Sequence, residues 1–211
     1  MKYFRLIGAL MLGFGLSACA AGDTATRNAP LESPALQAAP LSLDVQGVRV
    51  SVPKSLKVSE RNRYYPGGDI VWREDPRGDR HAQVKAIFEA GLNQGIAEMD
   101  HGTVPVILDV IVTRFHALSE KARYTIGGVH AVQFKFVLRN PETGEAYGEP
   151  KFVKADFKAY GGQMAINAES KGLTQKARIT HKISEVIRQE LQGTGGYHAE
   201  ANGLIGALNQ L

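Results

Sequence analysis

Cys19 is the only cysteine in the chain, so no internal disulfide can brace the fold. Stability has to come from a hydrophobic core and a fully paired backbone. With 211 residues the chain is long enough for that, and the length implies one domain with appendages. The cysteine sits in a telling place. Lys2 and Arg5 make a positive start, and Leu6 to Leu16 is an apolar stretch. That stretch is too short to span a bilayer as a helix, which needs about 20 residues. Small residues, Ser17 and Ala18, stand directly before Cys19.

Leu16-Ser17-Ala18-Cys19 resembles the lipobox of a bacterial lipoprotein signal peptide and matches it at each position. The resemblance implies cleavage between Ala18 and Cys19, a diacylglyceryl thioether on Cys19, and acylation of the new N-terminus. Two or three acyl chains anchor stably where one holds only marginally. An Asp after the cysteine would resemble an inner-membrane retention signal. Ala20 stands there instead, which implies the outer membrane, with the protein facing the periplasm. The other reading is a secreted protein cut after Ala18. It would leave a lone free thiol in an oxidising compartment.

Removal of residues 1–18 takes away Lys2 and Arg5 and no acid, so the side-chain charge falls from +4 to +2. That is too mild to argue for nucleic acid as a partner. Residues 19–42 are rich in Ala, Pro, Thr and Ser without apolar period, and read as a lipidated disordered tether. A flexible tether of about 20 residues spans roughly 25 Å.

The folded domain is expected over 43–192. Val48, Val50 and Val52 alternate with polar residues as in a half-buried strand. Leu56-Lys57-Val58 reads as a short second strand and Ile70 to Arg73 as a third. Asp79 is placed to cap a helix with Val84, Ile87, Phe88, Leu92, Ile96 and Met99 on one face. Gly91 and Gly95 lie on that stripe and suggest close packing against a sheet. Val104 to Val112 alternates, and Phe115 falls out of phase, which predicts a bulge or a strand end. Val132 to Leu138 alternates next. Asn140 to Glu145 reads as a hairpin loop, and Phe152 to Phe157 as the returning strand. Ile179, Ile183, Val186, Ile187 and Leu191 mark a second helix stopped by Gly193. The order is strands, helix, three-stranded meander, helix. It predicts an α+β fold, a mainly antiparallel sheet with two helices packed on one face. Residues 193–211 read as a Gly-rich tail ending in a short apolar helix. Leu204 and Leu208 are candidate partner contacts, or the tail docks on its own domain.

No catalytic constellation emerges. There is no Gly-x-Ser-x-Gly, Walker loop, Cys-x-x-Cys or His-Glu-x-x-His. The six histidines show no metal-ligand spacing on a helix; His116 and His130 could face each other across adjacent strands as a two-His site, and the competing reading is ordinary sheet side chains. Asp69, Asp75, Asp79 and their neighbouring arginines read as caps and surface ion pairs, and Arg77-Gly78-Asp79 as a chance adhesion tripeptide. No cofactor, metal or enzymatic activity is expected. Tyr64-Tyr65-Pro66-Gly67-Gly68 through Trp72-Arg73 is the densest unusual segment. Tyr and Trp bury large area at low entropy cost, so Tyr64, Tyr65 and Trp72 are the candidate contacts to a partner. Trp72 filling the core is the competing reading.

The Val48 to Pro53 strand, Gly68 to Arg73, and Arg123 to Phe136 make the chain similar to small bacterial lipoproteins of unassigned function. The strand and helix order resembles auxiliary lipoproteins of ABC-type transporters. The resemblance implies a non-catalytic envelope module with a protein partner; a homo-oligomer is left open. The alternative is a carrier of a lipid or other apolar ligand in a cavity lined by Phe88, Val110, Phe134 and Phe136.

Overall fold

The computed structural model describes residues 42–193, 196 and 197. The expectations for the signal segment, for Ala18 and Cys19, and for Leu204 and Leu208 in the tail lie outside the described residues. So does the tether apart from residue 42.

Six strands and four helices follow in the order β1 (Leu43–Ser51), β2 (Ile70–Val71), α1 (Arg80–Ala97), β3 (Val104–His116), α2 (Glu120–Arg123), β4 (Gly128–Arg139), β5 (Lys151–Lys154), β6 (Phe157–Ala159), α3 (Gly162–Glu169) and α4 (Gln175–Gln192). The fold is α+β, but the sheet is mixed. β3 is its axis. Its partner on one side is β4, antiparallel, and β5 continues the antiparallel order beyond β4. On its other side β3 pairs with β1, in parallel, from Leu43 opposite Val104 to Ser51 opposite Ile111. β2 joins β3 in the same direction further along, Ile70 opposite Phe115 and Val71 opposite His116. The expectation of a mainly antiparallel sheet is therefore corrected. α1 lies between β2 and β3 and returns the chain so that the strands before and after it run parallel.

β1 and β2 act as one interrupted strand. Both lie along β3 in the same direction, and an 18-residue excursion, 52–69, leaves after β1 and returns at β2. The expected strand at Leu56 to Val58 reduces to a single bridge, Val58 to Ile70. This bridge closes the base of the excursion, where Ile70 N–H and Asp69 N–H both donate to the Lys57 carbonyl. The third expected strand ends at Val71, so Trp72 and Arg73 follow it as loop.

One sheet face is buried by helices. Val106, Leu108, Val110 and Val112 of β3 and Phe134 of β4 are fully buried with Phe88 of α1 and Ile183 and Ile187 of α4. The phase break at Phe115 is a register irregularity between Val112 and Arg114. It returns Phe115 to the core, edge-on to Trp72 at 5.7 Å. Asp79 caps α1, its carboxylate accepting from Ala82 N–H at 3.1 Å.

Gly91 and Gly95 face α4, not the sheet. A Cβ on Gly91 would stand 2.7 Å from the Thr180 carbonyl oxygen, and one on Gly95 2.6 Å from that of Ser184. Two side-chain-free positions one helical turn apart let α1 and α4 touch backbone to side chain.

The expected returning strand divides at Ala155-Asp156 into β5 and β6, and β6 pairs with the first residues of β4. There β6 forms a small end of the molecule with α2 and α3, two helices without a legible period in the sequence. Gly127 and Gly161 touch backbone to backbone at this end.

Candidate interaction surface

Excursion 52–69 is long for a connection inside a compact domain, and such loops are usually functional. Ion pairs and hydrogen bonds order this one. Glu60 is the hub. Its carboxylate accepts from Arg80 Nε at 2.6 Å and Nη2 at 3.2 Å, a two-pronged pair. Arg80 is buried, and its Nη1 donates to the carbonyls of Asp75 and Pro76 and to Gln83 Oε1. Arg73 also reaches the Glu60 backbone carbonyl, and its Nε donates to Glu120 Oε2 at 2.5 Å. The hydrogen bond from Arg80 holds the Glu60 carboxyl below its usual pKa.

The tip of the excursion is fastened to α2. Ser119 Oγ donates to the Arg63 carbonyl at 2.7 Å, and Lys121 N–H to Asn62 Oδ1 at 2.8 Å. Lys121 Nζ lies 4.8 Å from the centre of the Tyr64 ring, a cation–π distance. The positive φ values of Gly67 and Gly68, 68° and 84°, turn the chain back. Gly67 also hydrogen-bonds the buried His116. At this tip Tyr64 is 37% and Tyr65 59% exposed.

α2 links this loop to a second exposed apolar group. Tyr124, at the end of α2, donates to Glu169 of α3 at 3.2 Å. Arg123 bridges Glu74 and Glu169, both at 3.0 Å. Tyr124, Ile126, Met164, Ile166 and Leu173 are all exposed. Tyr64, Tyr65, Lys121 and Tyr124 thus stand on neighbouring pieces joined by direct contacts, with α3 beyond. Sequence reasoning found the tyrosine pair but missed Tyr124, Ile126 and Met164 as surface contacts, because α2 and α3 are only four and eight residues long. A signal was available: aromatic and aliphatic residues next to Gly127-Gly128 have no strand or helix face of their own to fill.

Trp72 does not belong to this surface. It is fully buried, and its Nε1 donates to Asp75 Oδ2 at 2.9 Å. Burial raises the Asp75 carboxyl and its bonds to Lys176 and Trp72 lower it; the net shift is down. Asp75 therefore serves as the polar end of a core ring, and the expectation of Trp72 as a partner contact is corrected.

The two histidines imagined as a pair are both buried and held apart by register. His116 stands opposite Ala131, so His130, one residue away, points to the other sheet face. His130 packs against Phe157 with ring centres 5.0 Å apart. Burial pushes His130 down to about 3 and His116 to about 4. Both are neutral at physiological pH. His130 borders a cleft of about 10 Å³ with Arg123, Tyr160 and Arg178, at the lower limit for one water. Arg178 lies over the Tyr160 ring at 3.6 Å and donates to the Lys158 carbonyl. Among the described residues no three His, Cys, Asp or Glu side chains are grouped to hold a metal, and no helix is long and apolar enough to cross a membrane.

The residues expected to line a carrier cavity are packed together. Phe88 meets Phe134 edge-on at 5.6 Å, and Val110 and Phe136 are buried in the same cluster. These side chains fill the space between sheet and helices that such a cavity would need.

Comparison with known proteins adds a family. No curated protein matches the chain significantly. Among solved structures, a candidate lipoprotein from Caulobacter crescentus CB15 is similar at 11% identity with a TM-score of 0.36, over 69% of this chain and 87% of that one. A PelC dodecamer from Paraburkholderia phytofirmans is similar at 16% identity and 0.27, over 69% and 92%. An uncharacterized protein is similar at 17% and 0.30, over 71% and 93%. These likenesses are too distant to carry function. The family match is direct: residues 43–207, from the first residue of β1, fit the family of unknown function DUF6778, and the chain belongs to it.

Proposed function

We propose that this protein is a lipoprotein anchored through Cys19 to the outer membrane, facing the periplasm. It works without catalysis as an interaction or assembly module auxiliary to an envelope transport system. The reading of the anchor rests on Leu16-Ser17-Ala18-Cys19 and Ala20. The reading of the module rests on one observation above others: a long excursion from the edge strand, ordered by Glu60, Arg73 and Arg80, presents Tyr64 and Tyr65 to solvent beside α2. Large rings held rigidly lose little entropy on docking, and such anchors carry most of the energy of an interface. Glu60, Arg73, Arg80 and Glu120 are paired with one another at the base of the excursion. An envelope protein is the partner expected.

Photo-crosslinking in living cells tests this. A benzoylphenylalanine at position 65 should give a discrete adduct with an envelope protein, and Ile126→Asp should weaken it. The same probe at position 142, in the exposed hairpin, should give none. Equal labelling from both positions would remove this surface from consideration.

A further inference from the structure

Among the described residues no helix covers the second face of the sheet. Register aligns one row across four strands: Ser51 of β1, Ile111 of β3, Lys135 of β4 and Phe152 of β5. In the neighbouring row Arg49 stands opposite Asp109 and Asp109 opposite Val137. All these side chains share one face, because paired residues and their i±2 neighbours point the same way. Ile111 is 45% and Phe152 50% exposed, and Arg49 and Lys135 are exposed beside them.

The charge on this face is uneven. Along β1, β3, β4 and β5 its cations are Arg49, Arg114, Lys135, Arg139 and Lys154. Its acids are Asp44, which lies 3.3 Å from His101 Nδ1, Asp109, which accepts from Arg139 Nε at 2.8 Å, and Asp156, which is wholly buried beside Lys154. Among the described residues Arg49 and Lys135 form no ion pair. Glu142, Glu145 and Glu149 lie in the hairpin loop beyond the strand ends. The face therefore combines unpaired cations with two exposed apolar side chains in the same row.

We propose that this open sheet face is a docking surface for an anionic phospholipid bilayer. Arg49 and Lys135 would meet headgroup phosphates while Phe152 and Ile111 enter the interface. The charge complements such a surface, and aromatic rings favour the interface depth. The proposal rests on the reading of Cys19 as a lipid anchor. An anchor at Cys19 would keep the domain at high effective concentration beside the bilayer. Docking through this face would then fix an orientation that the anchor alone leaves open.

Introduced tryptophan fluorescence decides it. The one native tryptophan, Trp72, is fully buried, so a Phe152→Trp variant of the lipidated full chain adds a separate, exposed reporter. On vesicles of phosphatidylethanolamine and phosphatidylglycerol with brominated acyl chains, its emission should shift blue and be quenched at least two-fold. On phosphatidylcholine vesicles it should not. Arg49→Glu with Lys135→Glu should abolish the quenching without changing the circular dichroism. An unquenched reporter on protein that floats with anionic vesicles overturns the docking and leaves the anchor standing. Protein that does not float overturns the anchor; quenching by excess anionic vesicles then decides the docking by itself. A blue shift that grows with protein concentration without vesicles would assign the face to a second copy and overturn the proposal. So would a shift produced only by an acidic protein.

Discussion

Gly95 of α1 lies against Ser184 of α4 so closely that a Cβ at position 95 would stand 2.6 Å from the Ser184 carbonyl oxygen. The obstacle is helix backbone, which cannot swing aside. One turn earlier Gly91 meets Thr180 in the same way, with 2.7 Å available. The helix pair that covers the sheet is therefore set at this distance by two missing side chains.

Gly95→Ala should destabilise the domain although alanine is the better helix former. The propensity gain is about 1 kcal/mol, and forcing helices apart costs typically about 1–3 kcal/mol or more against backbone. Urea melts should show a net loss, larger for Gly91→Ala with Gly95→Ala together. A rise in midpoint would mean the helices slide apart freely.

Glu60→Ala should loosen the excursion. It strips Arg80 of two hydrogen bonds while three remain. A buried guanidinium left partly unsatisfied costs about 1–3 kcal/mol. Limited proteolysis should cut within 53–69 faster than in the parent. Glu98→Ala, on an exposed pair with Arg188, should change stability by no more than about 1 kcal/mol.

Acid should destabilise the fold through its histidines. The unfolded chain takes up protons near pH 6.5, whereas folded His116 and His130 do so only near 4 and 3. Their stabilisation is complete above pH 6.5 and is lost as the pH falls towards those lower values, because the unfolded state holds more protons. Asp156, whose carboxyl burial pushes up, acts in the opposite sense: its contribution is lost as pH rises through its raised pKa. Urea midpoints should drop from pH 7 to pH 5, with a shallower drop in His130→Met. Identical slopes would show that His130 titrates freely.

Cys19→Ser should abolish acyl labelling and release the protein from membranes, and Ala20→Asp should move it from the outer to the inner membrane fraction on a density gradient. Retention of the Cys19→Ser chain in membranes at high salt would place the anchor elsewhere.

The sequence by itself determined the elements whose residues repeat over several turns or pleats. Val104 to Val112 and Val132 to Leu138 show their buried face in every second residue, and α1 and α4 show theirs at helical spacing. Asp79 and Gly193 mark ends through local bonds alone, and the Phe115 phase break announced the irregularity after Val112. Only the tertiary structure decided what each buried face meets. Alternation in β1 says that a face is covered but not that its neighbour β3 runs parallel. Gly91 and Gly95 announced a close approach, expected against the sheet and made instead against α4. Trp72 is equally suited to a core and an interface, and the choice was made by Phe115 and Asp75, 43 and three residues away. α2 and α3 escaped notice because four and eight residues are too few to display a period. The open sheet face came from register, since Lys135 and Phe152 become neighbours only when β4 and β5 pair. Periodicity is local chemistry, whereas pairing and docking are chosen among distant segments by total burial.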